Sequence, residues 1–202
     1  MTIDRLEQRV RRLELLLLVA LLIASGSIAF AMRTKYSQVN ERVDVRLLRI
    51  VDAQGRPRFQ LGAPLPDPQV QGRVYSRSRP VPGLMFLDTL GNETGGLGLF
   101  DDLQGGALCF DYATAEAVCL TKATTLGFVG LSMLDTPPTD AAVGRPGSER
   151  VQFGVSQRNA QLTLSDIAGQ PRIRLSVDST SMARLEILDE AGQPLLVLPE
   201  RR

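Results

Sequence analysis

The chain has 202 residues and a mass of 22.0 kDa, room for one domain or one domain and an appendage. Hydrophobic residues make up 44% and charged residues 22%, which excludes a disordered chain, and 23 basic against 22 acidic side chains leave no field to gather nucleic acid. Histidine is absent and there are only two cysteines, so the commonest general base and the commonest metal ligand are missing, and a thiolate zinc site or disulfide framework is excluded.

The first predicted element is a membrane span. Residues 15–32 read LLLLVALLIASGSIAFAM, eighteen positions without a charge. As a helix rising about 1.5 Å per residue they reach roughly 27 Å, close to the hydrocarbon thickness of a bilayer. Ala29-Phe30-Ala31 has the small-x-small form of a signal-peptidase site, but the apolar run exceeds a signal-peptide core and the leader carries Asp4, Glu7 and Glu14 beside its arginines. An uncleaved signal-anchor is the favoured reading. Arg9, Arg11 and Arg12 precede the span, and Arg33 and Lys35 follow it. That bias points to a cytoplasmic amino terminus and a domain in the periplasm or outside the cell, in a bacterial inner membrane. Ile3, Leu6, Val10, Leu13 and Leu17 form a short heptad seam in the amphipathic tail, residues 1–14. Residues 33–44 are a polar linker.

Residues 45–202 repeat one pattern. Aspartates 52, 88, 111, 135, 166 and 189 are separated by 36, 23, 24, 31 and 23 residues, a period of about 23 interrupted by insertions at 64–82 and 137–149. Four and two residues before each aspartate stand Leu48 and Ile50, Leu84 and Phe86, Ala107 and Cys109, Leu131 and Met133, Leu162 and Leu164, Leu185 and Ile187. Nine residues after it stand Leu61, Leu97, Leu120, Leu175 and Leu198, with Phe153 in the fourth copy once its insertion is skipped. All these positions are apolar.

Such alternation predicts β-hairpins with one face of both strands turned to a core. The Asp-x-x-Gly segments at 52–55, 88–91, 166–169 and 189–192 predict type I turns that close in a glycine bulge. Thr114 replaces the glycine in the third copy, so that turn should differ. The fold class is therefore all-β: an up-and-down meander of about six hairpin repeats and twelve strands, closed as a barrel or open as a roll or solenoid.

The repeat Leu-x-Ile-x-Asp-x-x-Gly-x-x-Arg-x-x-Leu, matched by residues 48–61 and 162–175, resembles that of uncharacterised bacterial single-pass membrane proteins with a similar arginine- and glutamate-bearing leader. The hairpin is also similar to the Tyr-Asp repeats of bacterial toxin shells, without their tyrosine. Neither resemblance implies an activity.

Chemistry is sparse. Each turn offers one aspartate where calcium wants six to eight oxygens, so turn capping accounts for the series. Asp101 and Asp102 are neighbours in a turn, not carboxylates facing across a cleft. Without histidine a serine nucleophile needs a lysine, and Ser132 with Lys122 is the one combination worth naming. Cys109 and Cys119 fall on opposite faces by alternation and are expected to be buried free thiols. Arg73, Tyr75, Arg77 and Arg79 read as a solvated loop.

The informative feature is a second apolar face, with Met85, Leu87, Leu108 and Phe110 in the second and third copies and Leu188 and Val197 in the sixth. These six residues form the candidate interface. They need a cover: the 64–82 insertion, a second copy of the chain, or another envelope protein. The final strand, apolar on both faces, adds an edge that association would protect. The function expected is a membrane-anchored structural or protein-interaction module, not an enzyme, with no cofactor, metal, nucleic acid or evident small-molecule substrate. The alternatives are a cell-envelope hydrolase on a β scaffold, promoted by carboxylates converging beside a cleft, and a lipid or small-ligand carrier inside a barrel.

Overall fold

A computed structural model describes residues 11, 15–23, 25 and 42–199. The chain divides into two units, Met1–Asp44 and Val45–Arg202. In the first, residues 15–23 and 25 are helical. Among the described residues no helix is long and apolar enough to cross a membrane. Residue 24 and residues 26–32 of the expected span, the linker 33–41 and nearly all of the tail lie outside the described residues.

The second unit is an antiparallel meander. Its main strands are β1 (Leu47–Val51), β2 (Pro57–Gly62), β5 (Gly83–Leu87), β6 (Glu93–Phe100), β7 (Gly105–Asp111), β8 (Glu116–Ala123), β9 (Phe128–Leu134), β10 (Glu149–Ser156), β11 (Asn159–Ser165), β12 (Pro171–Val177), β13 (Ala183–Leu188) and β14 (Pro194–Leu198). These twelve pair in chain order into one sheet with β1 and β14 at its edges. Among the described residues this sheet is open and does not close into a barrel. A small hairpin, β3 (Gln69–Val70) with β4 (Arg73–Val74), stands in the first insertion.

The turns follow from the aspartates. Asp166 Oδ1 accepts the amides of Ala168 and Gln170, both at 2.9 Å, while Gly169 takes φ +80° and the register slips between Leu164 and Ser165. Asp52, Asp88 and Asp189 repeat this geometry with Gly55, Gly91 and Gly192. Asp178 caps a fifth turn the same way, on the amides of Thr180 and Met182, with Ser181 at φ +69° in the glycine position. Sequence reading passed over it because serine is a poor marker of positive φ.

Arginines stitch successive turns together. Arg58 Nε donates to the Leu87 carbonyl at 3.1 Å and Arg150 Nε to that of Ser165 at 3.0 Å. Arg172 bonds both its own Asp166 carboxylate and the Asp189 carbonyl of the next turn. Asp88, Asp111 and Asp189 are followed by no such arginine, and just before Asp88 it is Leu65 of the 64–82 insertion that packs on Met85 and Leu87.

The third hairpin departs from the others. Its closing bond runs from the Tyr112 amide to the Ala115 carbonyl at 2.8 Å, whereas the amides of Asp52, Asp88, Asp166 and Asp189 each reach the carbonyl four positions on. Thr114 does not supply the positive φ of a bulged turn, so the closing bond starts one residue later and the turn is one residue shorter. The pairing becomes Phe110 with Val118, Cys109 with Cys119 and Leu108 with Leu120. The two cysteines therefore share a face and are disulfide-bonded, with Cα atoms 4.2 Å apart. The expectation of two free thiols is corrected, because it carried the parity of the longer turn into a shorter one.

Candidate functional site

Cross-strand register assigns every strand residue to one of two faces. One carries a ladder that crosses the whole sheet: Leu48, Leu61, Leu84, Leu97, Leu108 and Leu120, continued by Leu131, Phe153, Leu162, Leu175, Leu185 and Leu198. A parallel row includes Phe59, Phe86, Phe110, Val118, Met133 and Val151. Phe59 and Phe86 meet edge to face at 5.8 Å between ring centres, and Phe86 and Phe110 at 5.7 Å. Lys122 is the one charged side chain among the described strand residues of this leucine face, and it points its ammonium to the Gln104 carbonyl.

The leucine face is not a core. Leu48 is 47% exposed, Leu120 52% and Phe153 60%. Period-two alternation was legible in the sequence and correctly marks an apolar face, but it was read as turned inward. In this open sheet no second layer of described strands backs that face, and the repeated apolar residues stand half-exposed.

The packed residues lie on the opposite side. Met85 (2% exposed) and Leu87 pack with Leu65 of the first insertion, which is also pinned by the Leu65 amide to the Val81 carbonyl at 2.8 Å. Glycine makes this approach possible: a Cβ on Gly98 would sit 3.1 Å from a Val81 methyl and 3.3 Å from the Phe100 ring. The insertion is thus an internal cover for Met85 and Leu87. Of the six candidate interface residues, Met85, Leu87 and Leu188 are buried and Val197 lies on the same side as Met85, while Leu108 and Phe110 belong to the leucine face. The expectation that all six share one surface is corrected. The shortened third turn exchanges the faces of β7, and for the same reason Ala107 and Cys109 are the two repeat positions absent from the leucine face.

A cleft opens beside this cover. A cavity of about 210 Å³ has Gly96, Gly98, Ala107 and Cys109 in its lining and Arg77, Glu93, Asp111 and Glu116 around it. Arg77 bonds Glu93 at 3.2 Å and the Pro66 carbonyl at 3.1 Å, both side chains being largely buried. Asp111, displaced from its turn by the shift to Tyr112, has an Oδ1 atom that is out of solvent and makes no hydrogen bond. Burial first, then the charges of Glu93 and Glu116, push its carboxyl up to about 6, against the pull of Arg77. The missing glycine at 114 was the one sequence signal for this displaced carboxylate.

No family model matches the chain, and neither characterised proteins nor solved structures give a match. Its chemistry has to be read from its own residues.

Ser132 and Lys122 stand on opposite faces, so the one serine–lysine combination does not assemble. Among the described residues no group of three or more His, Cys, Asp or Glu side chains is placed to hold a metal ion. Of the insertion's arginines, Arg73 is exposed as expected, Arg77 is held by Glu93 and the Pro66 carbonyl, and Arg79, also exposed, bonds Asp102 at 2.6 Å and lies 4.7 Å over the Phe100 ring. The largest continuous feature of the unit is the leucine face.

Proposed function

We propose that the chain is a structural or protein-interaction module whose working surface is the leucine face. One observation carries the reading: an apolar ladder spans all twelve strands with a single charge on its face. Twelve strands about 4.8 Å apart make a strip roughly 55 Å wide and, over the ladder, the row of Phe59 to Val151 on one side of it and the row of Leu99, Lys122, Val129, Val155 and Val177 on the other, on the order of 900 Å². Monomeric proteins seldom expose more than about 300–600 Å² in one apolar patch. A surface of this extent is built to be covered.

Residues 15–32 anchor this module in a membrane, with the arginines before them on the cytoplasmic side and the β domain in the periplasm or outside the cell. The Cys109–Cys119 bond supports that side, since disulfides persist in oxidising compartments.

The experiment is extraction of the full chain from native membranes in polymer nanodiscs, with particle mass compared between the parent, Leu120→Glu and Thr163→Glu. The parent and the Thr163 variant should run in an assembly larger than one chain. Leu120→Glu should leave it while keeping its β-sheet circular dichroism. A parent that runs as a single chain overturns the reading.

A second reading has a specific observation in its favour. Asp111, Glu93 and Glu116 converge beside a cleft, and a carboxyl held protonated near pH 6 suits a general acid of a cell-envelope hydrolase. The cleft, at about 210 Å³, is smaller than the roughly 300–1,000 Å³ of most ligand sites, and Arg77 already occupies Glu93. Hydrolysis of peptidoglycan by the parent and its loss in Asp111→Asn would promote this reading over the first.

A further inference from the structure

We infer that the leucine face is covered by the leucine face of a second copy of this chain. The inference rests on the interaction-module reading and names its partner.

The first argument is extent. A stable protein–protein interface takes about 800 Å² from each partner, and this face offers about that much in one strip. Covering only part of it would leave leucines in water at about 25 cal/mol for each Å². The occupant must therefore also be apolar over roughly 55 Å. The chain's own uncharged segment, residues 15–32, is roughly 27 Å long as a helix and reaches half that distance.

The second argument is shape. An open twelve-stranded sheet is twisted, with each strand rotated about 20–25° from the last, and a flat or unrelated surface cannot follow it from edge to edge. A sheet of the same hand and length can. Two such sheets pack aligned about 10 Å apart, the geometry of a β-sandwich, with their angle set by their shared twist. The ladder repeats one side chain at each strand, so the same spacing recurs on both copies and leucines of one fit between leucines of the other. A face meeting itself is the isologous contact of a two-fold dimer.

The third argument is charge. Nucleic acid and acidic or basic peptides need complementary charges, and this face has only Lys122, at one end of its strand. Phe153, the one aromatic in the ladder and its most exposed member among the residues compared above, lies near the middle of the sheet on β10. Large aromatic side chains are favoured anchors of interfaces. Copies held in one membrane also meet at raised effective concentration.

The test uses the full chain in its native membrane, with two copies carrying different tags. A benzophenone amino acid replaces Phe153 in one copy, and in a control it replaces Thr163 on the opposite face. After irradiation the Phe153 probe should give a covalent adduct of two chains bearing both tags, and the Thr163 probe should not. Leu120→Glu with Leu162→Glu in both copies should lower recovery of mixed-tag pairs by more than about tenfold, the effect of burying charge in an apolar contact. If those variants fail to fold, the adduct of the parent still decides. An adduct with a different protein overturns self-pairing while leaving the interaction-module reading standing. An adduct confined to lipid or to one chain, with mixed-tag pairs absent, overturns both.

Discussion

Cys109 and Cys119 sit directly opposite each other on β7 and β8, joined by a disulfide that closes a hairpin ten residues in span. They meet because the turn between them is closed at Tyr112, one residue later than the repeated aspartates would close it, and one residue is enough to reverse a face. The same shift that brings the cysteines together drives Asp111 out of its capping role and toward Glu93 and Glu116.

Removing the disulfide should therefore loosen one hairpin without unfolding the sheet. In the loop-closure view, Cys109→Ala with Cys119→Ala costs about 2–3 kcal/mol. Denaturant unfolding of both proteins should show the midpoint fall, with a slope no shallower than the parent's because the unfolded chain loses a constraint. Titration of the unreduced parent should find no free thiol, and a stoichiometric thiol signal would refute the pairing.

The capped turns predict a contrast between positions of similar sequence. Gly169→Val forces a β-branched residue to φ +80° and should cost on the order of 1–3 kcal/mol. Asp166→Ala loses the acceptor for two amides and should cost about 1–2 kcal/mol. Asp140→Ala, in the exposed second insertion, should cost under about 0.5 kcal/mol. Equal melting temperatures for all three would remove the bulged-turn assignment.

Asp111 predicts a pH dependence of the opposite sign to that of a capping aspartate. The folded chain keeps its proton up to about pH 6, so unfolding releases a proton above the ordinary carboxyl value of 3.8. Stability should fall as pH rises from roughly 4 to 6, by on the order of 1–2 kcal/mol once solvent screening of this partly exposed group is allowed for. Asp111→Asn should flatten that slope and leave the protein more stable than the parent at pH 7. Asp166, held below the usual range by the Gln170 amide, against some desolvation, and by Arg172, contributes stability that is lost only as pH falls below about 4. Unfolding curves at pH 4.5 and 7 that differ equally for parent and Asp111→Asn would refute the placement.

The two faces also predict different responses to truncation. Met85→Ala opens a hole beside Leu65 and Leu87 and should cost about 2–4 kcal/mol at any protein concentration. Leu120→Ala removes a half-exposed side chain, and its cost should grow with concentration as copies pair. Thermal melts across about two decades of concentration separate the cases. A Leu120→Ala cost independent of concentration would mean that the face gains no cover by association.

Much of this protein was legible before any coordinate. Asp-x-x-Gly spacing placed the turns because an aspartate side chain and a glycine φ act within four residues, and alternation placed Leu48, Leu61, Leu162 and Leu175 on one face because strand parity is local. What the sequence determined was the order of strands and the identity of the apolar side. Three things were decided only by tertiary structure. Whether the meander closes depends on the accumulated twist and on edges more than a hundred residues apart, and it does not close. Which side is packed depends on where residues 64–82 fall, and they fall on Met85 and Leu87, leaving the leucines bare. The fate of Cys109, Cys119 and Asp111 depends on a one-residue change of register at Tyr112, which hydrogen bonding across two strands fixes and no pattern of hydrophobicity within one strand can reveal.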